Sequence, residues 1–314
     1  VNIVDVDIAV DGNRDGEIDF DDEEDNSLTF WVNNDRDVRY YDFKSLMYVL
    51  DDKEVDGNPD FSNSRITNLR DLEDFDRLQI KLPESIDDGE TQIFIKSDSQ
   101  ASLKIYKAHD SGLGHVFTPS LASEYYNNRA IAHVPANGEA QIPKLNSDGS
   151  ENFTFGEPST FLFEGCTEGS GDLSLIIKRG TQEVARSSIT LKLLNSDKFV
   201  HKFKTFGNNE NDYEPMGSYE YEHSSDDYVL YVHGWNMPEW EKDRWGETIF
   251  KRLWWNGYKG QVGYFSWPTL VGGVTTYDPS DFQAYMSANS LRNLILNLNQ
   301  SYNGKVRVMA HSMG

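Results

Sequence analysis

Residues 305–314 read KVRVMAHSMG and residues 228–236 read YVLYVHGWN, and the fold turns on whether these two runs are strands of one sheet. Each begins with a nearly continuous apolar stretch, the pattern of a strand buried on both faces of a parallel sheet. Between them lies NMPEWEKDRWGETIFKRLWW, which predicts a helix. Asn236 is the expected N-cap with Glu239 three residues on, Pro238 stands in the first turn, and Gly257 follows the end. Its expected inward stripe is Trp245, Ile249, Phe250, Leu253 and Trp254. QVGYFSW then predicts a second strand. DPSDFQAYMSANSLRNLILNLNQSY predicts a second helix, with Phe282, Tyr285, Met286, Leu291, Leu294, Ile295 and Leu298 on one face. Strand, helix, strand, helix, strand implies parallel pairing through crossovers.

Against this frame, the last residues acquire a chemical meaning. A serine that leaves a buried strand on a sharp turn holds its hydroxyl above the sheet edge, and such a turn needs small residues two before and two after. Ala310 and Gly314 flank Ser312 in that way, with His311 before it. A nucleophilic Ser also needs two backbone N–H donors for the developing oxyanion. Met313 is placed to supply one. His233 and Gly234 close the first strand, so that the Trp235 amide can supply the other.

The AHSMG string with an upstream HG resembles the nucleophile turns of small bacterial lipases and esterases, and residues 228–314 resemble the first half of an α/β-hydrolase. Residues 265–295 also resemble a group of little-studied bacterial hydrolases with a Ser-Trp-Pro turn. The resemblance implies Ser312 as nucleophile, Trp235 and Met313 as oxyanion donors, and an acid and a His lying beyond residue 314. His109, His115, His133, His201 and His223 all precede the sheet core and are poor candidates for the base. PTLVGGVTTYD, residues 268–278, is the expected lining of an acyl pocket.

Upstream the grammar differs. From about residue 28 to 195, short runs such as LTFWVNN, TQIFIKS, STFLFEG and SSITLKLL alternate and are separated by Gly, Asn, Asp and Pro. They predict antiparallel β-structure of the sandwich kind. The expected division is a β-rich region over 1–84, a sandwich-like region over 85–196, a polar connector over 197–227, and the parallel-sheet domain from 228. The fold class expected is therefore multi-domain: an all-β N-terminal region with a calcium loop, then the first half of an α/β-hydrolase.

The first 76 residues hold 23 Asp and Glu against 7 Lys and Arg. Within them DGNRDGEIDFDD, residues 11–22, has the spacing of an EF-hand Ca²⁺ loop and resembles dockerin-like variants. Asp11, Asn13 and Asp15 take ligand positions 1, 3 and 5, with Gly16 at the sharp turn. Glu17 offers its carbonyl, Asp19 acts through water, and Asp22 closes the loop. Ca²⁺ is the expected cofactor, at the modest affinity of extracellular modules. A second cation site is expected at Asp35 and Asp37, or at Asp56, Asn58 and Asp60.

The net charge of −23 argues against nucleic acid, since phosphate binding needs clustered Lys and Arg. No apolar run of about 18 residues occurs, so no transmembrane helix is expected. Cys166 stands alone, which precludes an intrachain disulfide. Val1 follows no leader, as in a mature secreted protein or a trimmed piece. Two functions compete. One is a secreted or cell-surface serine hydrolase of carboxylic esters, lipids among them, or in a variant of the same chemistry of amides or acyl transfer. The other is a Ca²⁺-dependent adhesion or carbohydrate-binding protein with an inactive hydrolase-like domain, touching cell surface or polysaccharide through its β-rich region.

Overall fold

The computed structural model describes residues 5–33, 71–125, 128–207 and 212–314, and the expected second cation site lies outside them. The described residues are β-rich, with two mixed sheets and few helices, and fall into two compact units, one ending at Asn195 and the other starting at Ser196.

In the first unit β1 (Asp7–Val10), β2 (Ser27–Val32) and β3 (Phe75–Lys81) share one sheet with β4 (Thr91–Ser97), β5 (Ser102–Lys107), β6 (Ala132–Val134) and β7 (Glu139–Ile142). The long strands β8 (Pro158–Thr167), β9 (Gly169–Arg179) and β10 (Gln182–Asn195) complete it. The order is β1-β3-β8-β2-β10-β9-β4-β7, with β5 and β6 branching from β8. The boundary expected at residue 84 is therefore corrected: β3 pairs with β8 and β2 with β10, so both halves build one sheet. The pairing is also not wholly antiparallel, because β2 runs parallel to β10 and to β8. Alternation in β4, where every second side chain is buried, is the local signature that sequence reading could use. Two short helices, α1 (Gly114–Phe117) and α2 (Pro119–Glu124), interrupt the strands and bury Ala122 and Tyr125 against Leu72, Phe75 and Tyr106.

The second unit carries β11 (Val200–Lys204), β12 (Glu214–Met216), β13 (Tyr228–Val232), α3 (Glu239–Trp255), β14 (Gln261–Ser266), α4 (Tyr277–Ser301) and β15 (Val306–Ala310). The sheet order is β12-β11-β14-β13-β15. The β11, β14, β13 and β15 strands are parallel, while β12 is antiparallel to β11 and makes the sheet mixed. Residues 197–227 are thus not a connector, since they contribute two strands. Their short polar run hides β12, and β11 reads VHKFK, too brief for a periodic signal.

Both helices form where expected, but the faces they bury differ from expectation. In α3 the buried face holds Glu247, Lys251 and Arg244 beside Phe250 and Trp254, and Trp245, Ile249 and Leu253 are only half-buried. Glu247 tolerates burial because Ser196 Oγ donates to it at 2.8 Å and Lys202 Nζ stands 3.5 Å away. Gly246 sits where a Cβ would lie 2.2 Å from the Tyr264 ring, which lets α3 come close to β14. Asn236 is not the N-cap: it has φ 63°, the helix begins three residues later behind Pro238, and the Asn236 Oδ1 accepts from the Gly272 N–H at 2.8 Å. On α4, Leu294 and Leu298 join Tyr228, Leu230, Val232, Phe265 and Trp267 in the core. Phe282 and Tyr285, expected inward, are 59% and 74% exposed.

Candidate functional site

The β15 strand ends at Ala310, and two residues later Ser312 has φ 57°, in the left-handed region that a non-glycine residue enters only where the surroundings impose it. The turn is held by two backbone bonds: His311 N–H donates to Val232 O and Gly314 N–H to His311 O, both at 3.0 Å. Ser312 is exposed, and its hydroxyl forms no hydrogen bond among the described residues.

Parallel pairing of β13 with β15 brings Val232 beside Ala310, so the exits of the two strands meet. A Cβ on Gly234 would stand 2.8 Å from the Ser312 Cβ and 2.9 Å from His311 O. A Cβ on Gly314 would stand 2.6 Å from Val232 O and 2.7 Å from His233 O. Both positions therefore admit glycine alone. In this way Gly234, His311, Ser312, Met313 and Gly314 are brought together with Trp235 one residue further on. The metal-loop residues 11–22 lie in the other unit.

The loop after β13 is locked by a residue pair that sequence reading did not connect. His233 is buried and its ring stacks on Trp267, with centroids 5.1 Å apart and planes 2° from parallel. His233 Nδ1–H donates to Gly234 O at 2.8 Å, while Nε2 accepts from the Trp267 N–H at 3.1 Å. Trp267 Nε1–H donates back to His233 O at 2.8 Å. A ring accepting at Nε2 must be neutral, and burial agrees, pulling the His233 pKa down to about 4. The unfolded chain takes up a proton near the ordinary value of 6.5, so the folded form loses stability as pH falls from about 6.5 to 4. Unfolding free energies measured across that window are expected to slope downward towards acid, and less steeply in His233→Gln. Equal slopes in both proteins would refute the neutral, accepting ring.

Around the serine, Trp245 stacks on His311 at 6.0 Å, and Trp235 meets Tyr277 edge-to-face at 5.3 Å with its indole N–H buried and unpartnered. A cavity of about 420 Å³ reaches Met313 and Gly314, the residues following Ser312. Of the loop 268–278 expected to line an acyl pocket, Tyr277 alone does so among the described lining residues, whereas Leu270, Val271 and Val274 face solvent.

No family model matches the chain, and no curated protein matches it. Solved structures do match at very low similarity. One is a beta-glucuronidase from glycoside hydrolase family 2, at 9% identity and a TM-score of 0.14, covering 76% of this chain and 26% of that one. Another is a glycosyl hydrolase family 2 member from Bacteroides cellulosilyticus DSM 14838, at 8% identity and a TM-score of 0.15, covering 76% of this chain and 34% of that one. The chain spans about a third or less of these proteins, and scores this low establish no common fold. The family resemblance drawn from AHSMG and HG is corrected accordingly. Neither a family model nor a curated relative carries an α/β-hydrolase assignment, and the described residues are β-rich with two mixed sheets. A five-residue string determines a turn, whereas a family is a property of the whole sheet.

The same correction holds for the EF-hand and dockerin resemblance, since residues 11–22 run between β1 and a 3₁₀ turn at Glu23–Asn26 rather than between helices. Asp11 Oδ1 and Oδ2 accept from the N–H groups of Asp15 and Gly16, Asn13 Oδ1 accepts from Asp15, and Asp15 Oδ1 accepts from Glu17. Gly16 has φ 95°, as the turn requires. Asp19 accepts from the Asp21 N–H, and Asp22 caps the 3₁₀ turn. Sequence reading missed Asp25, which is buried and accepts from the N–H groups of Gly12, Asn13 and Asp19. It also missed Arg77, whose Nη2 stands 2.8 Å from Asp11 Oδ2. Among the described residues no three His, Cys, Asp or Glu side chains are grouped as a metal site, and Asp11 pairs with Arg77 instead. No helix among them is long and apolar enough to cross a membrane.

Proposed function

We propose that the second unit performs serine-nucleophile chemistry on carboxylic esters. The observation that carries this reading is Ser312 itself: an exposed residue on a left-handed turn at a parallel strand's exit, close against Gly234, which leads into the Trp235 loop. In the attack, the Ser312 Oγ forms a bond to the ester carbonyl carbon, the π electrons move to the carbonyl oxygen, and the amides of Trp235 and Met313 donate to that oxyanion. Collapse of the adduct releases the alcohol, and water then releases the acid. Proton transfer requires a base that the described histidines do not supply, because none of them hydrogen-bonds to Ser312.

A fluorophosphonate probe applied to the product of the intact gene is expected to modify Ser312, and Ser312→Ala to abolish the adduct. Labelling elsewhere, or none, would remove the proposal. For residues 11–22 we propose Ca²⁺ binding in competition with Arg77 for Asp11. The reading is supported by the ligand spacing and by the three carboxylate and amide side chains that fold the loop backbone around themselves.

A further inference from the structure

The cavity beside Ser312 has an unusual wall. Phe265, Trp267, Tyr277 and Tyr285 supply aromatic side chains, Asp281 supplies a carboxylate, and no Lys, Arg or His contributes to the lining. An acidic residue in the first turns of a helix is ordinary, since it complements the helix dipole, and α4 begins at Tyr277. That accounts for an Asp at 281 but not for its place on an aromatic wall, or for its carboxylate forming no hydrogen bond or ion pair among the described residues. One negative charge surrounded by π faces is the chemistry that recognises an organic cation. The rings attract it through their quadrupoles, and the carboxylate neutralises it without requiring the strong N–H donors a small ammonium would offer. At about 420 Å³ the cavity suits a small molecule. The chain's net charge of −23 draws cations towards it.

We infer that the cavity takes a quaternary or alkylated ammonium group, and that the ester presented to Ser312 carries such a group. The second clause rests on the serine reading above; the first stands without it. Asp281 and Tyr285 reach the site from one face of α4, which explains why Tyr285 is left exposed on that helix rather than packed inward.

The test uses choline and its neutral isostere 3,3-dimethylbutan-1-ol, titrated into the 314-residue chain by calorimetry. Choline is expected to bind about tenfold more tightly than the alcohol, the range of a partly desolvated cation on aromatic faces. Asp281→Asn is expected to remove most of that preference while leaving the alcohol's affinity unchanged, and Asp281→Glu to retain it. A choline affinity no greater than that of the alcohol, or one unaltered in Asp281→Asn, overturns the inference. Fluorophosphonate labelling separates the two claims. Labelled Ser312 without choline preference leaves the nucleophile and removes the cation site, and choline preference without labelling does the reverse.

Discussion

Arg77→Leu is expected to lower the stability of the first unit by about 3–5 kcal/mol, measured by urea unfolding, because it strands a buried carboxylate. Arg77 lies on β3, 1% exposed, and bridges two segments: its Nη2 pairs with Asp11, and its Nη1 donates to Ser111 O at 2.9 Å. Removing the guanidinium leaves Asp11 with backbone donors alone and the Ser111 carbonyl with one partner fewer. The double variant Arg77→Leu/Asp11→Asn is expected to recover part of the loss, since it removes the uncompensated charge as well as its partner. Saturating Ca²⁺ is expected to stabilise Arg77→Leu more than the native chain, the ion taking the carboxylate that the guanidinium has left. No Ca²⁺ response in either protein would assign the loop to Arg77 alone. A loss under about 1 kcal/mol would mean the pair is no more than an ordinary exposed one.

Gly234→Ala is the variant with the largest expected effect on chemistry. The added methyl would overlap the Ser312 Cβ at 2.8 Å and His311 O at 2.9 Å, and their turn is tied down by the His311 N–H bond to Val232 O and the Gly314 N–H bond to His311 O. Relief must come from the loop, which shifts the Trp235 amide. Misplacing one oxyanion donor typically costs 10² to 10³ in rate, so probe labelling of Ser312 is expected to slow by about that factor. Overpacking adds a loss of roughly 1–3 kcal/mol in stability, small enough to leave a folded protein. Gly273→Ala is the control: nothing lies within 4 Å of its Cβ and its φ is −77°, so both properties should be unchanged. Native labelling rates in Gly234→Ala would show that the two strand exits do not act as one site.

How much was legible follows from the range of each signal. The strands β13 and β14 stand out in the sequence because burial on both faces leaves no polar alternation to confuse them. The apolar run of β15 reads the same way, but the expectation of a strand buried on both faces fails there: β15 is the edge strand, exposed from Arg307 to Ala310. The turn at Ser312 is legible for a steric reason, the need for small neighbours. By contrast, β11 and β12 are short and partly polar, so they read as connector. The inward face of α3 was misread because Glu247 and Lys251 are buried there with partners from other elements, and a hydrophobic stripe has no term for a paired charge. Phe282 and Tyr285 were misread for the opposite reason, as aromatic residues at helical spacing that face outward.

By itself the sequence determined what depends on neighbours along the chain: that the longer apolar and amphipathic segments of the second unit are strands and helices, and that Ser312 stands on a tight turn between small residues. Only the tertiary structure decided which strands pair, that Arg77 meets Asp11 across 66 positions, that Gly234 touches Ser312, and that Asp281 shares a wall with four aromatic rings. The physical reason is that such contacts close long loops. Their entropic cost is offset by the packing of the whole sheet, so no short stretch of chain encodes them.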